Sequence, residues 1–153
     1  MSLEELEIID AKTLPVGKLI TMIARGQTIY LNHHLKNLGI NSTQLHLLFE
    51  ISHQKHINQE KIASRCNINK GAVARSVKKL EENELVIRTI DEENRRQNKV
   101  SLTSEGEKTL NESIQLLKTW EDEVLCDNII EKELLQKALK KIALNTIKLN
   151  NGE

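Results

Sequence analysis

Two short β-type runs, LVIRTI (85–90) and NKVSL (98–102), stand in a chain whose other apolar residues recur at helical spacing. The stretch between them, DEENRRQ, reads as the loop of a hairpin. Around it the pattern is helical on both sides, so the expected fold is mainly α with a small β-hairpin. Composition agrees with this. Aromatic residues are 2% of the chain, namely Tyr30, Phe49 and Trp120. The core must therefore be built from Leu, Ile, Val and Ala, and one proline and six glycines leave few places to break a helix.

The elements follow in order. Residues 14–38 carry Leu19, Ile20, Ile23, Ala24, Tyr30, Leu31, Leu35 and Leu38 at helical spacing, and Gly39 stops them. Asn41 and Gln44 have capping-box spacing and open a second helix through Leu45, Leu48, Phe49 and Ile51. A polar link, HQKHIN, leads to a third helix from Gln59 to Arg65 that buries Ile62 and Cys66. Asn69 caps a fourth, from Lys70 to about residue 83. After the hairpin, Thr103 or Ser104 caps a fifth helix with Leu110, Ile114, Leu117 and Val124 in its stripe. Ser104 and Glu107 again have capping-box spacing. A last helix spans 131–149 with Leu135, Leu139, Ile142 and Leu149. Two short helices joined by a tight turn and followed by a hairpin make a winged helix-turn-helix, at residues 41–102. Long helices at 14–38 and 104–150 flank it in one domain of 153 residues. Those helices are too long for so small a winged core to cover, and a second copy is the simplest partner for their stripes.

The fourth helix carries the chemistry. Val73, Val77 and Leu80 fall at i, i+4 and i+7 and form one apolar edge. At 100° per residue Arg75 points away from that edge, with Gly71, Ala72, Lys78 and Lys79 on its outward side. In a helix-turn-helix the second helix enters the major groove with its N-terminal residues nearest the bases. Small residues there, Gly71 and Ala72, let the backbone approach, and Arg75 is placed for a bidentate contact to guanine. Lys70, Ser76, Lys78 and Lys79 suit phosphates, as does the helix N-terminus at Asn69. Net charge is zero, but residues 61–80 hold Lys61, Arg65, Lys70, Arg75, Lys78 and Lys79 and no acid, a local charge of +6. Arg95 and Arg96 at the hairpin tip suit a flanking minor groove or backbone. Asp91, Glu92 and Glu93 are braces for them or for Arg88.

The hairpin also resembles the wing and following helix start of the MarR family of transcription regulators, whose pattern runs roughly D-P-x-D-R-R-x-x-x-V-x-L-T-x-x-G. Here it reads Asp91, Glu92, Glu93, Asn94, Arg95, Arg96, then Val100, Leu102, Thr103 and Gly106. The stretch INKGAVARSVKKLEENELVIR (68–88) resembles the family's recognition helix and its run into the strand. The resemblance implies a homodimer held by the terminal helices, a pseudo-palindromic double-stranded DNA operator, and usually repression. It also implies release by a small effector, commonly an anionic aromatic, bound between the DNA-binding and dimer regions. By motif match Arg96 is the signature wing arginine and Arg95 its frequent neighbour. Two positions depart from the pattern: Asn94 replaces an aspartate, and Glu84 stands where a glycine usually ends the recognition helix. The expected left-handed residue at that end is Asn83.

Other classes are weaker. No apolar run approaches the roughly 18 residues of a membrane span, and the acidic start lacks a signal-peptide pattern, so a cytoplasmic chain is expected. Cys66 and Cys126 form no CxxC and read as unpaired thiols. His53 and His56 are three apart but have no further ligand at metal spacing, and one of the consecutive pair His33 and His34 is a candidate for lining an effector pocket. Without a Gly-rich phosphate loop, a GxSxG or a Cys/His pair, neither enzyme nor cofactor is expected. The rival reading is a winged helix that binds an acidic protein partner. Gly71 and Ala72 speak against it, since a protein-binding helix favours larger apolar anchors.

Overall fold

The computed structural model describes residues 2–54, 57–90, 98–126 and 130–152. Two short N-terminal elements, α1 (Leu3–Ile8) and a 3₁₀ turn at Ala11–Thr13, were not foreseen from the acidic start of the sequence. Ser2 and Glu5 form a reciprocal capping box that holds α1. The first long helix, α2 (Val16–His34), begins after Pro15 and tightens into a 3₁₀ turn over Leu35–Leu38. Gly39 ends it in the left-handed conformation at φ 69°, and the Ile40 amide reaches back to the Leu35 carbonyl at 3.3 Å. Such a closure satisfies carbonyls that the helix end would otherwise orphan.

The winged core follows. Helix α3 (Ser42–His53) opens with the expected capping box, in which Asn41 accepts from the Gln44 amide at 2.9 Å and Gln44 accepts from the Asn41 amide at 3.0 Å. The HQKHIN link is not merely a connection. Its last two residues form strand β1 (Ile57–Asn58), which pairs antiparallel with β3 (Asn98–Leu102). Helices α4 (Gln59–Cys66) and α5 (Lys70–Glu82) lead into β2 (Val86–Ile90), and the sheet order is β1-β3-β2. The hairpin register sets Val86 against Leu102, Arg88 against Val100 and Ile90 against Asn98. A run of two residues has too little periodicity to be read as a strand, which is why β1 escaped notice.

Leu35, Leu45, Leu47, Leu48, Ile51, Ile57, Ile62, Val73, Val77, Leu80, Val86 and Val100 are all fully buried in one aliphatic core. At roughly 1.5–3 kcal/mol for each buried Leu, Ile or Val side chain, this cluster is the main source of stability for the winged region.

The chain divides into two compact units, one up to Leu117 and one from Lys118 onward, with α6 (Ser104–Val124) contributing to each. The second unit contains the end of α6 and α7 (Lys132–Asn151), where Lys132 pairs with Glu121 at 3.2 Å. Helix α7 buries no residue, and Leu134, Leu139, Ile142, Leu144, Ile147 and Leu149 are exposed. On α2, Val16, Ile20, Ile23 and Ile29 are exposed as well.

Candidate nucleic-acid interface

Asparagines mark both ends of α4 and the start of α5. Asn58 caps α4 by accepting from the Lys61 amide at 2.8 Å. Asn67 ends α4 at φ 52°, in a left-handed conformation that asparagine tolerates better than most residues. Asn69 caps α5 by accepting from the Ala72 amide at 2.8 Å. Between the last two, Ile68 packs against the core and its amide reaches the Ala63 carbonyl at 3.0 Å. The turn is thereby pinned at both ends and in the middle, which fixes the angle at which α5 leaves it.

Val73, Val77 and Leu80 are each 0% exposed, so α5 buries the edge its periodicity predicts. Opposite them, Gly71 and Arg75 are exposed. A Cβ on Gly71 would lie 3.6 Å from Nη1 of Arg75, so the guanidinium runs back over Gly71 toward the helix N-terminus. This is the end of the helix from which base edges are read in a helix-turn-helix. Lys70, Lys78 and Lys79 are exposed around the arginine, while Ala72 and Ser76 are half-buried at the side. The exposed face also includes Ala74, which the sequence reading did not name because it falls at the border of the apolar edge.

The acid-free window is acid-free only along the chain. Lys70 Nζ lies 2.6 Å from Glu60, Lys79 Nζ 3.4 Å from Glu82 and Lys78 Nζ 3.9 Å from Glu82. Arg65 pairs with Glu50 of α3. Arg75 has no hydrogen-bond or ion-pair partner among the described residues, which distinguishes it from the lysines of its helix. Glu60 and Glu82 are therefore parts of this surface that sequence reasoning missed. The signal was present, since Glu82 stands three and four residues from Lys79 and Lys78. The Lys70–Glu60 pair needs the turn and could not be read from spacing.

The hairpin is tied to α5 from below. Arg88 on β2 pairs with Glu81 of α5 at 3.0 Å. Arg95, Arg96 and the acids Asp91, Glu92 and Glu93 lie outside the described residues. At the hairpin base the Thr103 hydroxyl donates to the Glu84 carbonyl at 2.7 Å and accepts from the Gly106 amide at 3.0 Å. Thr103 is thus the cap of α6, and the alternative cap at Ser104 with Glu107 is not the one used. The left-handed residue after α5 is Glu84 at φ 58°, which corrects the expectation of Asn83. Asn83 stays at φ −88° because its side chain is engaged elsewhere, donating to the Gly39 carbonyl at 3.0 Å.

The remaining candidates separate. His53 Nδ1 lies 2.7 Å from the Phe49 carbonyl of its own helix, and His56 is outside the described residues. His34 stacks on Tyr30 with ring centroids 4.2 Å apart. Cys66 is half-buried, and burial followed by the charge of Glu50 pushes its thiol pKa up, with Arg65 partly opposing. Cys126 is exposed. A groove of about 640 Å³ opens between α3, β3 and α6, floored by Ile51, Leu102, Leu110 and Ile114 and edged by Glu107 and Asn111. No helix of the described residues is long and apolar enough to cross a membrane.

Fold and surface together define a winged helix-turn-helix protein. A family model described as "MarR family" matches residues 40–97. The chain is 35% identical over 97 residues to the uncharacterised HTH-type transcriptional regulator YwoH of Bacillus subtilis (strain 168), covering 63% of this chain and 69% of that one. Its fold is similar to a crystal structure of MarR with a TM-score of 0.85 and 25% identity, covering 95% of this chain and 99% of that chain. It is also similar to a mutant MarR from E.coli in complex with operator DNA, with a TM-score of 0.72 and 25% identity over 88% and 99% of the two chains. The chain belongs to the MarR family of transcriptional regulators.

Proposed function

We propose that the chain binds duplex DNA sequence-specifically as a homodimer and acts as a repressor at a pseudo-palindromic operator. The carrying observation is the outward line of α5, where Arg75, without a partner among the described residues, lies over Gly71 between exposed lysines on a helix pinned by Asn69. Asn69, Lys70, Gly71, Ala72, Arg75, Ser76 and Lys79 form the groove-facing set within residues 41–102. Arg95 and Arg96 add the contact of the wing to the flanking minor groove or backbone. The operator-bound neighbour supports this reading, because the two folds agree over most of both chains.

The dimer rests on residues 14–38 and 104–150. Val16, Ile20 and Ile23 on α2, and Leu139, Ile142 and Leu149 on α7, are exposed apolar side chains at helical spacing, which suit burial against a second copy. A second copy covers them and presents two recognition helices. Release by a small effector completes the cycle, and the groove between α3, β3 and α6 is its candidate seat. The only charged residue among the described lining is Glu107, so a neutral or cationic effector suits that groove better than an anionic aromatic.

The test is binding of the protein to DNA from the region upstream of its own gene across a salt series. Affinity should fall steeply with salt, as phosphate neutralisation requires. Arg75→Ala should weaken operator binding by about 1–3 kcal/mol, and more at the operator than at unrelated duplex. Arg96→Ala should weaken it with little change in Tm. Affinity indifferent to salt would instead favour a winged helix that docks on a protein.

A further inference from the structure

We propose that Glu60 and Glu82 are resident competitors for the phosphate-binding lysines and set how tightly the recognition surface holds DNA, a role that rests on the duplex-binding reading above. Four cations stand on α5, namely Lys70, Arg75, Lys78 and Lys79. Glu60, from the first turn of α4, occupies Lys70 at 2.6 Å. Glu82, at the end of α5, lies 3.4 Å from Lys79 and 3.9 Å from Lys78. The two carboxylates thus hold both ends of the helix, while the arginine in its middle has no such partner among the described residues. Their origin is local: Glu60 and Glu82 flank the acid-free window on either side, and the turn folds the first of them back onto Lys70.

Pairs this exposed hold little energy for the fold, so exchanging them costs the protein almost nothing. The consequence falls on DNA. A phosphate approaching Lys70 must displace a carboxylate, and the displaced carboxylate remains tethered a few ångströms away as a like charge. Each occupied lysine therefore neutralises less than one phosphate, which lowers affinity and flattens its dependence on salt. The bond and charge of Lys70 also hold the Glu60 carboxyl below the usual carboxylate range, so it stays ionised at neutral pH. Among the described residues Arg75 escapes this compensation, and the surface consequently favours the contact that reads bases over those that grip any phosphate.

Because phosphate neutralisation is independent of sequence, a labelled duplex of mixed sequence suffices as probe. Binding is followed by fluorescence anisotropy over a salt series for the wild type, Glu60→Gln, Glu82→Gln and Glu7→Gln. Glu7 is exposed on α1, outside the winged region and the dimer helices, and has no partner among the described residues, so its variant makes the same change of net charge elsewhere. Glu60→Gln and Glu82→Gln should each tighten binding about 3- to 10-fold and steepen the log–log salt slope by up to about 0.9, as expected for one more neutralised phosphate. Glu7→Gln should change it less than about 2-fold. Lys70→Ala should cost more affinity in the Glu60→Gln background than in the wild type. Wild-type affinity and slope in both acid variants would overturn the inference, as would equal tightening by Glu7→Gln. Because the two acids are separate sites, loss of folding in one variant leaves the other to decide. A wild type that fails to bind duplex at all would remove the DNA-binding reading and this inference together.

Discussion

The backbones of Leu85 and Gly106 meet so closely that a Cβ on residue 106 would stand 2.0 Å from the Leu85 carbonyl oxygen. The same carbonyl accepts from the Thr103 amide at 3.1 Å. The exit of the recognition helix, the base of the hairpin and the start of α6 are therefore joined at one point, through backbone atoms that cannot rotate away. Gly106→Ala forces one of them to shift. It should destabilise the fold by about 1–3 kcal/mol, lowering Tm by roughly 3–10 °C in calorimetry. An unchanged Tm would show that the Leu85 carbonyl yields freely.

One turn of chain away, Glu84 holds φ 58° with its side chain exposed. The left-handed region costs an ordinary residue roughly 1 kcal/mol that glycine avoids. Glu84→Gly should accordingly raise stability by about 0.5–1 kcal/mol in urea unfolding, whereas Glu84→Ala, which keeps a Cβ, should not. Equal effects of the two would mean that loss of the carboxylate, and not backbone strain, is what matters.

The two cysteines should differ in reactivity. Burial and the Glu50 carboxylate raise the pKa of the Cys66 thiol, while Cys126 is exposed. Since the thiolate is the nucleophile, Cys66 should be alkylated by iodoacetamide several-fold more slowly than Cys126 at neutral pH. Glu50→Gln removes one of the two causes and should speed Cys66. Faster labelling of Cys66 in the native protein would contradict its environment as described.

Glu60 carries a pH signature. Its carboxyl is held low by the hydrogen bond and charge of Lys70. A carboxyl whose pKa is lowered on folding contributes stability that is fully present above its unfolded value and is lost as pH falls through the lowered one. The Lys70 pair should therefore break at a lower pH than that at which an ordinary glutamate protonates. Carboxyl carbon shifts in an NMR titration should place the Glu60 midpoint below that of an unfolded-chain glutamate, and Lys70→Ala should return it upward. A midpoint unmoved by Lys70→Ala would exclude the pair in solution.

Much of this was determined by the sequence alone, because its signals act within a few residues. The stripe Val73, Val77, Leu80 dictates which edge of α5 is buried, and with it the exposure of Arg75. Asn41 with Gln44, Asn69 and Gly39 mark helix ends through bonds that close within one turn. The β2–β3 pairing follows from two runs separated by a short loop. What only the tertiary structure decided involves partners distant in the chain. Strand β1 exists because Val100 lies opposite Ile57, and no pattern in two residues can announce that. Asn83 is drawn to the Gly39 carbonyl, 44 positions earlier, and the left-handed turn passes to Glu84. Glu60 reaches Lys70 only once the turn has closed. Periodicity and capping are properties of neighbouring residues. The balance of charge on a surface belongs to residues that the fold makes neighbours, and it is settled only when the chain has packed.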